Sequence, residues 1–150
     1  MNIRQFKIIF ILILSFFFFK TAFTQDKFNF DITEIKILED GNKFVGTKRG
    51  KINTEEILIH ADTFVFDKKK NILTANGNIE IIDNKNKIKI LTDEIVYAKS
   101  NEIIYTIGNT KAIIQSKYNF LSKNVYYNRR QLKLSSKFKS YITDKEFNEY

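Results

Sequence analysis

A stretch of about 23 residues recurs along this chain, and its repetition restricts the fold more than any other feature. Residues 61–83 align with residues 92–114 after a shift of 31 positions. Asp62 then falls on Asp93, and Gly77 falls on Gly108. A weaker third copy begins near Ser122 and lacks the glycine. A repeat of this length indicates one supersecondary unit that is used several times.

The unit is a β-strand with an interruption in its alternation. Large apolar residues recur at every second position, which is typical of a strand with one buried face. In each copy the apolar positions then move by one residue, and such a slip turns every following side chain to the opposite face. A bulge or turn near residues 61–62, 92–93 and 122–123 would keep one face apolar throughout. The alternating residues are Ile57, Ile59, Phe64 and Phe66 in the first copy, Ile88, Ile90, Ile95 and Tyr97 in the second, and Tyr118, Phe120, Val125 and Tyr127 in the third.

Glycine and aspartate mark the same places in the first two copies. Gly77 and Gly108 interrupt strand patterns, where glycine is typical of a bulge or of a close approach by another backbone. Asp62 and Asp93 lie at the shifts in alternation, where we expect turn aspartates rather than paired catalytic acids. Polar segments at 68–71 and 83–87 are typical of hairpin loops, so short strands at even spacing predict a sandwich, a barrel or a solenoid.

The amino terminus has the pattern of a secretory signal. Arg4 and Lys7 precede an apolar run at residues 8–19, which is short of the roughly 20 residues that a spanning helix needs. We therefore expect a signal peptide at 1–25, followed by one domain at 26–150, and an exported protein; an uncleaved anchor is the alternative. The chain has no cysteine, which excludes disulfides, thiolate zinc sites and an acylated cysteine anchor.

No group of residues points to catalysis. His60 is the only histidine, and it lies in an alternating strand, where a structural role is the ordinary one. We expect no enzyme activity, no metal and no cofactor, because phosphate-binding loops and metal-ligand motifs are missing. Basic and aromatic residues mix near Lys123 and Arg129, a pattern that can bind nucleic acid or anionic lipid headgroups. The export signal argues against nucleic acid, which we do not expect as a partner.

The apolar face is the remaining candidate for function. It could be a sealed core, or it could line a groove that takes acyl chains, since each buried methylene contributes about 0.8 kcal/mol. Periodicity does not choose between the two. The predicted face consists of Ile57, Ile59, Phe64, Phe66, Ile79, Ile81, Ile88, Ile90, Ile95, Tyr97, Val125 and Tyr127.

The repeat also resembles a known family. The segments 59–62, 66–67 and 71–79, and again 92–97 and 108–109, are similar to the OstA-like domain shared by the lipopolysaccharide-transport proteins LptA, LptC and the N-terminal periplasmic part of LptD. The opening segments 30–35 and 48–50 look most like LptD-type proteins.

The resemblance implies an antiparallel, V-shaped β-jellyroll (a β-taco). Its apolar interior would shield the acyl chains of lipid A in the periplasm. Its edge strands would join other domains of the family, with outer-membrane assembly proteins as further partners. Whether the chain is part of an LptD-like protein or a free LptA-like one stays open. A β-solenoid that self-assembles in the cell envelope is the alternative function, and a secreted enzyme that uses His60 is a third.

Overall fold

The computed structural model describes residues 28–54, 56–144 and 146, so the predicted signal peptide lies outside the described residues. The described chain forms one sheet of fourteen strands, all paired antiparallel where they meet. The strands are β1 (Asn29–Asp31), β2 (Ile35–Leu38), β3 (Lys43–Gly46), β4 (Gly50–Asn53), β5 (Ile57–Ala61), β6 (Thr63–Asp67), β7 (Ile72–Asp83), β8 (Ile88–Ala98), β9 (Ile103–Ile107), β10 (Asn109–Ile114), β11 (Tyr118–Lys123), β12 (Tyr126–Asn128), β13 (Lys133–Ser135) and β14 (Tyr141–Thr143).

The sheet is folded into two layers that share the long strands β7 and β8. The first layer has the order β1-β4-β5-β7-β8-β10-β11-β14, and the second has the order β2-β3-β6-β7-β8-β9-β12-β13. One half of β7 pairs with β5, and its other half pairs with β6. The chain crosses between layers near residues 32–34, 47–49, 62, 77–78, 93, 108, 124–125 and 136–140, which together form the fold line. This arrangement is the expected antiparallel, V-shaped jellyroll, and it disagrees with a coil of parallel strands.

The 30-residue repeat has a direct geometric meaning. Turns at the far end of the second layer fall at 39–42, 68–71, 99–102 and 129–132, which is a spacing of about 30 residues. Connections at the far end of the first layer fall between them, namely between β4 and β5, at 84–87 and at 115–117. One repeat is therefore one circuit of the chain from one layer to the other and back.

The shift in alternation keeps one apolar face inside the V. Ile59 and Ala61 are buried before the first crossing, and Phe64 is buried after it. Ile90 and Ile95 follow the same rule in the second copy. The buried apolar residues form one cluster between the layers, which comprises Ile52, Ile57, Ile59, Ala61, Phe64, Leu73, Ala75, Ile79, Ile81, Ile88, Ile90, Ile95, Tyr97, Ile104, Ala112, Phe120, Val125 and Tyr127.

Several boundaries differ from those that the sequence suggests. Gly50, a residue type that is common in turns, opens β4, and a Cβ there would meet the carbonyl oxygen of Asp31 at 2.8 Å. The glycine thus permits β1 to approach β4 closely. Residues 137–143 alternate like a single strand, but only Tyr141–Thr143 form one, because residues 136–140 cross between the layers. Two single 3-10 turns, Glu39–Gly41 and Lys99–Asn101, are the helical segments among the described residues.

Candidate functional site

The predicted apolar face lies between the two layers. Eleven of its twelve residues are buried, and Phe66 is half-buried. Sequence reasoning missed part of the same surface, namely Ile52, Leu73, Ala75, Ile104 and Ala112, and it left Phe120 out of the predicted face although Phe120 belongs to the alternating pattern. Leu73 and Ala75 alternate in the same sense as Ile79 and Ile81, on the other side of Gly77, so the alternation could have identified them.

Aromatic side chains fill the amino-terminal edge of the interior. Phe28 lies 5.0 Å from Phe66 between ring centroids, and Phe30 lies 5.9 Å from Phe44 in a stacked arrangement. Phe30 belongs to the first layer and Phe44 to the second, so these rings bridge the layers. All four rings are only half-buried, in contrast to the sealed centre of the cluster. The interior is therefore less completely covered at this edge than at its centre.

The mouth of the V is the gap between the far ends of the two layers, and a buried arginine closes it. Arg129 follows β12 in the second layer, while Asp83 ends β7 in the first. Arg129 Nε donates to Asp83 Oδ2 at 2.8 Å, and Arg129 Nη2 lies 3.2 Å from Glu56 Oε2, also in the first layer. Within the second layer, Arg129 also pairs with Glu102. We call this set of ion pairs the mouth clasp.

Tyrosines extend the mouth clasp. The hydroxyl of Tyr127 donates to Asp83 Oδ2 at 2.9 Å, and the hydroxyl of Tyr97 donates to Glu102 Oε2 at 2.9 Å. Burial raises the pKa of both tyrosines well above the ordinary value, so both stay neutral and able to donate. The predicted lining residues Tyr97 and Tyr127 therefore have a second role, as hydrogen-bond donors at the mouth.

The charges of the mouth clasp stabilise one another. Burial alone would raise the pKa of Asp83, but hydrogen bonds from Arg129 and from the backbone N–H of Asn86 outweigh it and hold that pKa below the usual range. For Arg129, burial opposes the charge, yet the hydrogen bond to Asp83 and the neighbouring negative groups raise its pKa. A hydrogen bond from Lys85 lowers the pKa of Glu56. Glu56, Asp83 and Arg129 are therefore ionised at neutral pH.

The fold line carries the predicted turn residues. Gly77 has φ +80°, and the pairing of β7 with β8 shifts between Asn76 and Ile79. Asp62 accepts hydrogen bonds from Arg49 at 2.8 Å and from the side-chain amide of Asn78 at 2.7 Å. The Arg49 hydrogen bond, followed by that from Asn78, lowers the pKa of Asp62. The carboxylate thus links two crossings of the fold line.

In the second copy, different side chains make the hydrogen bonds at the fold line. Gly108 has φ +92°, and its N–H donates to Asn124 Oδ1 at 2.8 Å, while Asp93 is exposed. Buried threonine hydroxyls replace the aspartate here, since Thr106 and Thr110 lie 2.6 Å apart and Thr106 Oγ1 accepts from the N–H of Val125 at 2.8 Å. The similar sequences of the two copies did not indicate this difference.

The described residues contain no group of three or more His, Asp or Glu side chains that could hold a metal ion. His60 lies on the outer face of β5, opposite Lys51 and Glu80 in the neighbouring strands. Within the part of the chain that the structure describes, no helix is long and apolar enough to cross a membrane.

The architecture defines a class, the open antiparallel jellyroll whose two layers enclose an apolar interior. A scan of protein-family models finds no match, and no curated protein matches the sequence. Among solved structures, the chain is similar to LptH of Pseudomonas aeruginosa, described as the LptA-homologous periplasmic component of the conserved lipopolysaccharide transport device. The match has a TM-score of 0.68 and 13% sequence identity, and covers 75% of this chain and 82% of LptH. At this identity, the likeness establishes the shared fold.

Proposed function

We propose that this chain is a non-enzymatic carrier of lipopolysaccharide in the periplasm, and that acyl chains of lipid A pass between its two layers. The observation that carries this proposal is the apolar interior of an LptH-like fold, which side chains rather than backbone pairing close at the mouth. A barrel would need to break a strand pairing to admit a lipid. Here, the two layers can separate at the mouth without loss of a strand pairing, once the clasp and the side-chain contacts between the layers are broken.

The chemistry of the interior agrees with an acyl ligand. Its buried lining is made mostly of isoleucine, leucine, phenylalanine and tyrosine, which offer apolar contact. Polar groups gather at the mouth and the fold line instead. Small-molecule sites are commonly apolar, with few polar groups that fix orientation. An acyl chain inside and a charged headgroup near the mouth would match this separation.

The free edges suit partners of the same fold. At the amino-terminal edge, β2 exposes Ile37 to 60% and Leu38 to 46%. At the carboxy-terminal edge, β14 exposes Tyr141 to 46% and Ile142 to 37%. An exposed edge pairs readily with another strand. We propose that further Lpt-type domains, outer-membrane assembly proteins among them, add to these edges and continue the interior from one domain to the next, whether this chain acts as an LptA-like unit or within an LptD-like one.

Photo-crosslinking in Gram-negative cells tests the interior directly. Benzoylphenylalanine in place of Phe66 places the probe on the inner face of β6, where an aromatic ring already lies. The matched control places the same probe at Tyr105, an aromatic residue on the outer face of β9 that is 39% exposed. We expect a lipopolysaccharide adduct at position 66 and none at position 105. The buried Ile95 and its outward neighbour Glu94 form a second pair.

Two outcomes would overturn the proposal. Exported, folded protein without an adduct at Phe66 or Ile95 would indicate a sealed core. Equal adducts on both faces would indicate adsorption to membrane rather than passage between the layers. If adducts are missing while the purified chain forms concentration-dependent polymers without lipid, the alternative of self-assembly in the envelope gains support.

A further inference from the structure

A cleft of about 1050 Å³ lies on the outer face of the first layer, on the opposite side of the sheet from the interior. Its floor is a row of register partners that runs from β7 to β14, namely Glu80, Leu91, Lys111, Leu121 and Tyr141. Each alternates with inward residues such as Ile90, Ala112 and Phe120. The cleft is therefore separate from the proposed lipid path.

A serine-rich strap builds one wall of the cleft. Residues 136–140 cross the fold line there, and Ser136 Oγ donates to the carbonyl of Lys123 at 2.5 Å. Ser122 Oγ donates to the carbonyl of Lys139 at 3.2 Å and accepts from Ser140 Oγ at 3.0 Å. These hydrogen bonds hold Phe138, which is 50% exposed, against the cleft.

The lining combines apolar surface with excess positive charge. Leu121, Phe138 and Tyr141 are each at least 41% exposed, so a considerable apolar area is in contact with solvent. Lys111 and Lys123 form no ion pair with any described residue, and Lys139 lies over the ring of Tyr141.

The other charged groups of the lining are largely neutralised. Arg49 pairs with Asp62, and Glu80 pairs with Lys89. Asp93 alone then opposes the three lysines. The cleft consequently suits an anion that carries an apolar chain.

The backbone of the floor favours an anion with an alkyl chain over an acidic peptide. Strands β8, β10 and β11 each pair with a strand on both sides, so their main-chain groups are used within the sheet. Over these three strands, which carry Leu91, Lys111 and Leu121, an extended peptide would find side chains but no main-chain partners, whereas an alkyl chain needs none. We propose that the cleft binds one anionic single-chain amphiphile, with its alkyl chain on Leu91, Leu121 and Phe138 and its phosphate or carboxylate at the lysines.

A single-tryptophan reporter tests this site separately from the interior. The chain has no tryptophan, so Phe138→Trp introduces one at the cleft, and Tyr105→Trp provides a matched reporter on the outer face of the second layer. Titration with monomeric palmitoyl lysophosphatidylglycerol should shift the emission of the Phe138→Trp protein to shorter wavelength and leave the Tyr105→Trp protein unchanged. Lysophosphatidylcholine should bind more weakly, and glycerol phosphate, which has no chain, should give no shift.

Variants in the Phe138→Trp background give the energetics. Lys111→Gln and Lys123→Gln should each weaken binding by about fivefold, whereas Lys133→Gln on β13 should have no effect. Leu121→Asp should abolish the shift, whereas Ile37→Asp on β2 should preserve it. Equal binding of the zwitterionic lipid, response to phosphatidylglycerol vesicles but not to monomers, or preference for an acidic peptide would each overturn the proposal. The result of these tryptophan titrations does not depend on whether lipid adducts form at Phe66.

Discussion

Removal of the arginine of the mouth clasp should cost more stability than any other single change at the mouth. In Arg129→Met, the apolar length of the side chain is kept but its charge is lost. The Arg129 side chain is 5% exposed and that of Asp83 is 0% exposed, so the change leaves a buried carboxylate without its cation. Loss of one partner of a buried pair costs about 3–5 kcal/mol. We expect this loss in the free energy of unfolding at pH 7.

Urea denaturation of the purified domain measures the effect, and the neighbouring residue supplies the control. Arg130 is exposed and donates one hydrogen bond, to the carbonyl of Ser100 at 3.0 Å. Arg130→Met should change the free energy of unfolding by no more than about 0.5 kcal/mol. The addition of Asp83→Asn to Arg129→Met should recover part of the loss, because the neutral amide removes the unpaired buried charge.

The pH dependence gives a second check on the same reasoning. In the parent protein the pKa of Asp83 is held below its ordinary value, so its stabilising contribution is present above about pH 4 and is lost as the pH falls through the folded-state pKa. In Arg129→Met the buried carboxyl loses its cation, its pKa rises, and protonation relieves the penalty. The difference between the two proteins should therefore narrow from pH 7 to pH 4. A loss below 1 kcal/mol at pH 7, or one that is the same at both pH values, would refute the clasp.

Two further predictions concern the fold line, and urea denaturation checks both. Gly77→Ala should lower the free energy of unfolding by about 1–3 kcal/mol, because φ is +80° and a Cβ would lie 2.5 Å from Asp62 Oδ2. Gly108→Ala should lower it less, because the nearest atom to a Cβ there is Asp93 Oδ2 at 3.7 Å. Equal losses would contradict the role of that contact. Thr106→Val should cost about 1–3 kcal/mol by leaving the N–H of Val125 unpaired, whereas the exposed Thr63→Val should be nearly neutral.

Local alternation was sufficient to predict the sheet and its inner face. The one-residue shift between Ile59 and Phe64 has only one simple physical cause, a chain that changes layers while it keeps the same face inside. The mouth clasp could not be predicted in this way. Arg129 and Asp83 are 46 positions apart, and they meet only because turns of different layers oppose each other across the mouth. Charged residues in polar turns give no sign in the sequence that they will be buried together.

The strap at the wall of the outer cleft could not be predicted from the sequence, for a different reason. Residues 137–143 alternate well enough to resemble one strand. However, they directly follow β13, which lies in the second layer, and the chain has to cross to the first layer before β14 can pair with β11. The hydroxyls of Ser122 and Ser136 then donate to the backbone carbonyls of Lys139 and Lys123, which strand pairing would otherwise have satisfied. Topology, which is nonlocal, decides between the two uses of the same residues.

The mouth clasp also sets an energetic condition on the proposed transport. Opening it exposes both partners of each ion pair to water, so it costs less than the roughly 3–5 kcal/mol of removing one partner. An acyl chain contributes about 0.8 kcal/mol for each methylene that leaves water, so about five methylenes are enough to offset the clasp. The remainder of a longer chain replaces apolar contacts between the layers by apolar contacts with lipid. Without cargo the same clasp keeps the interior from water. Stability and lipid uptake should accordingly change in opposite directions in Arg129→Met. The variant should unfold more easily but give more lipopolysaccharide adduct at Phe66 per folded molecule. A fall in both quantities would show that the clasp stabilises the fold without controlling access to the interior.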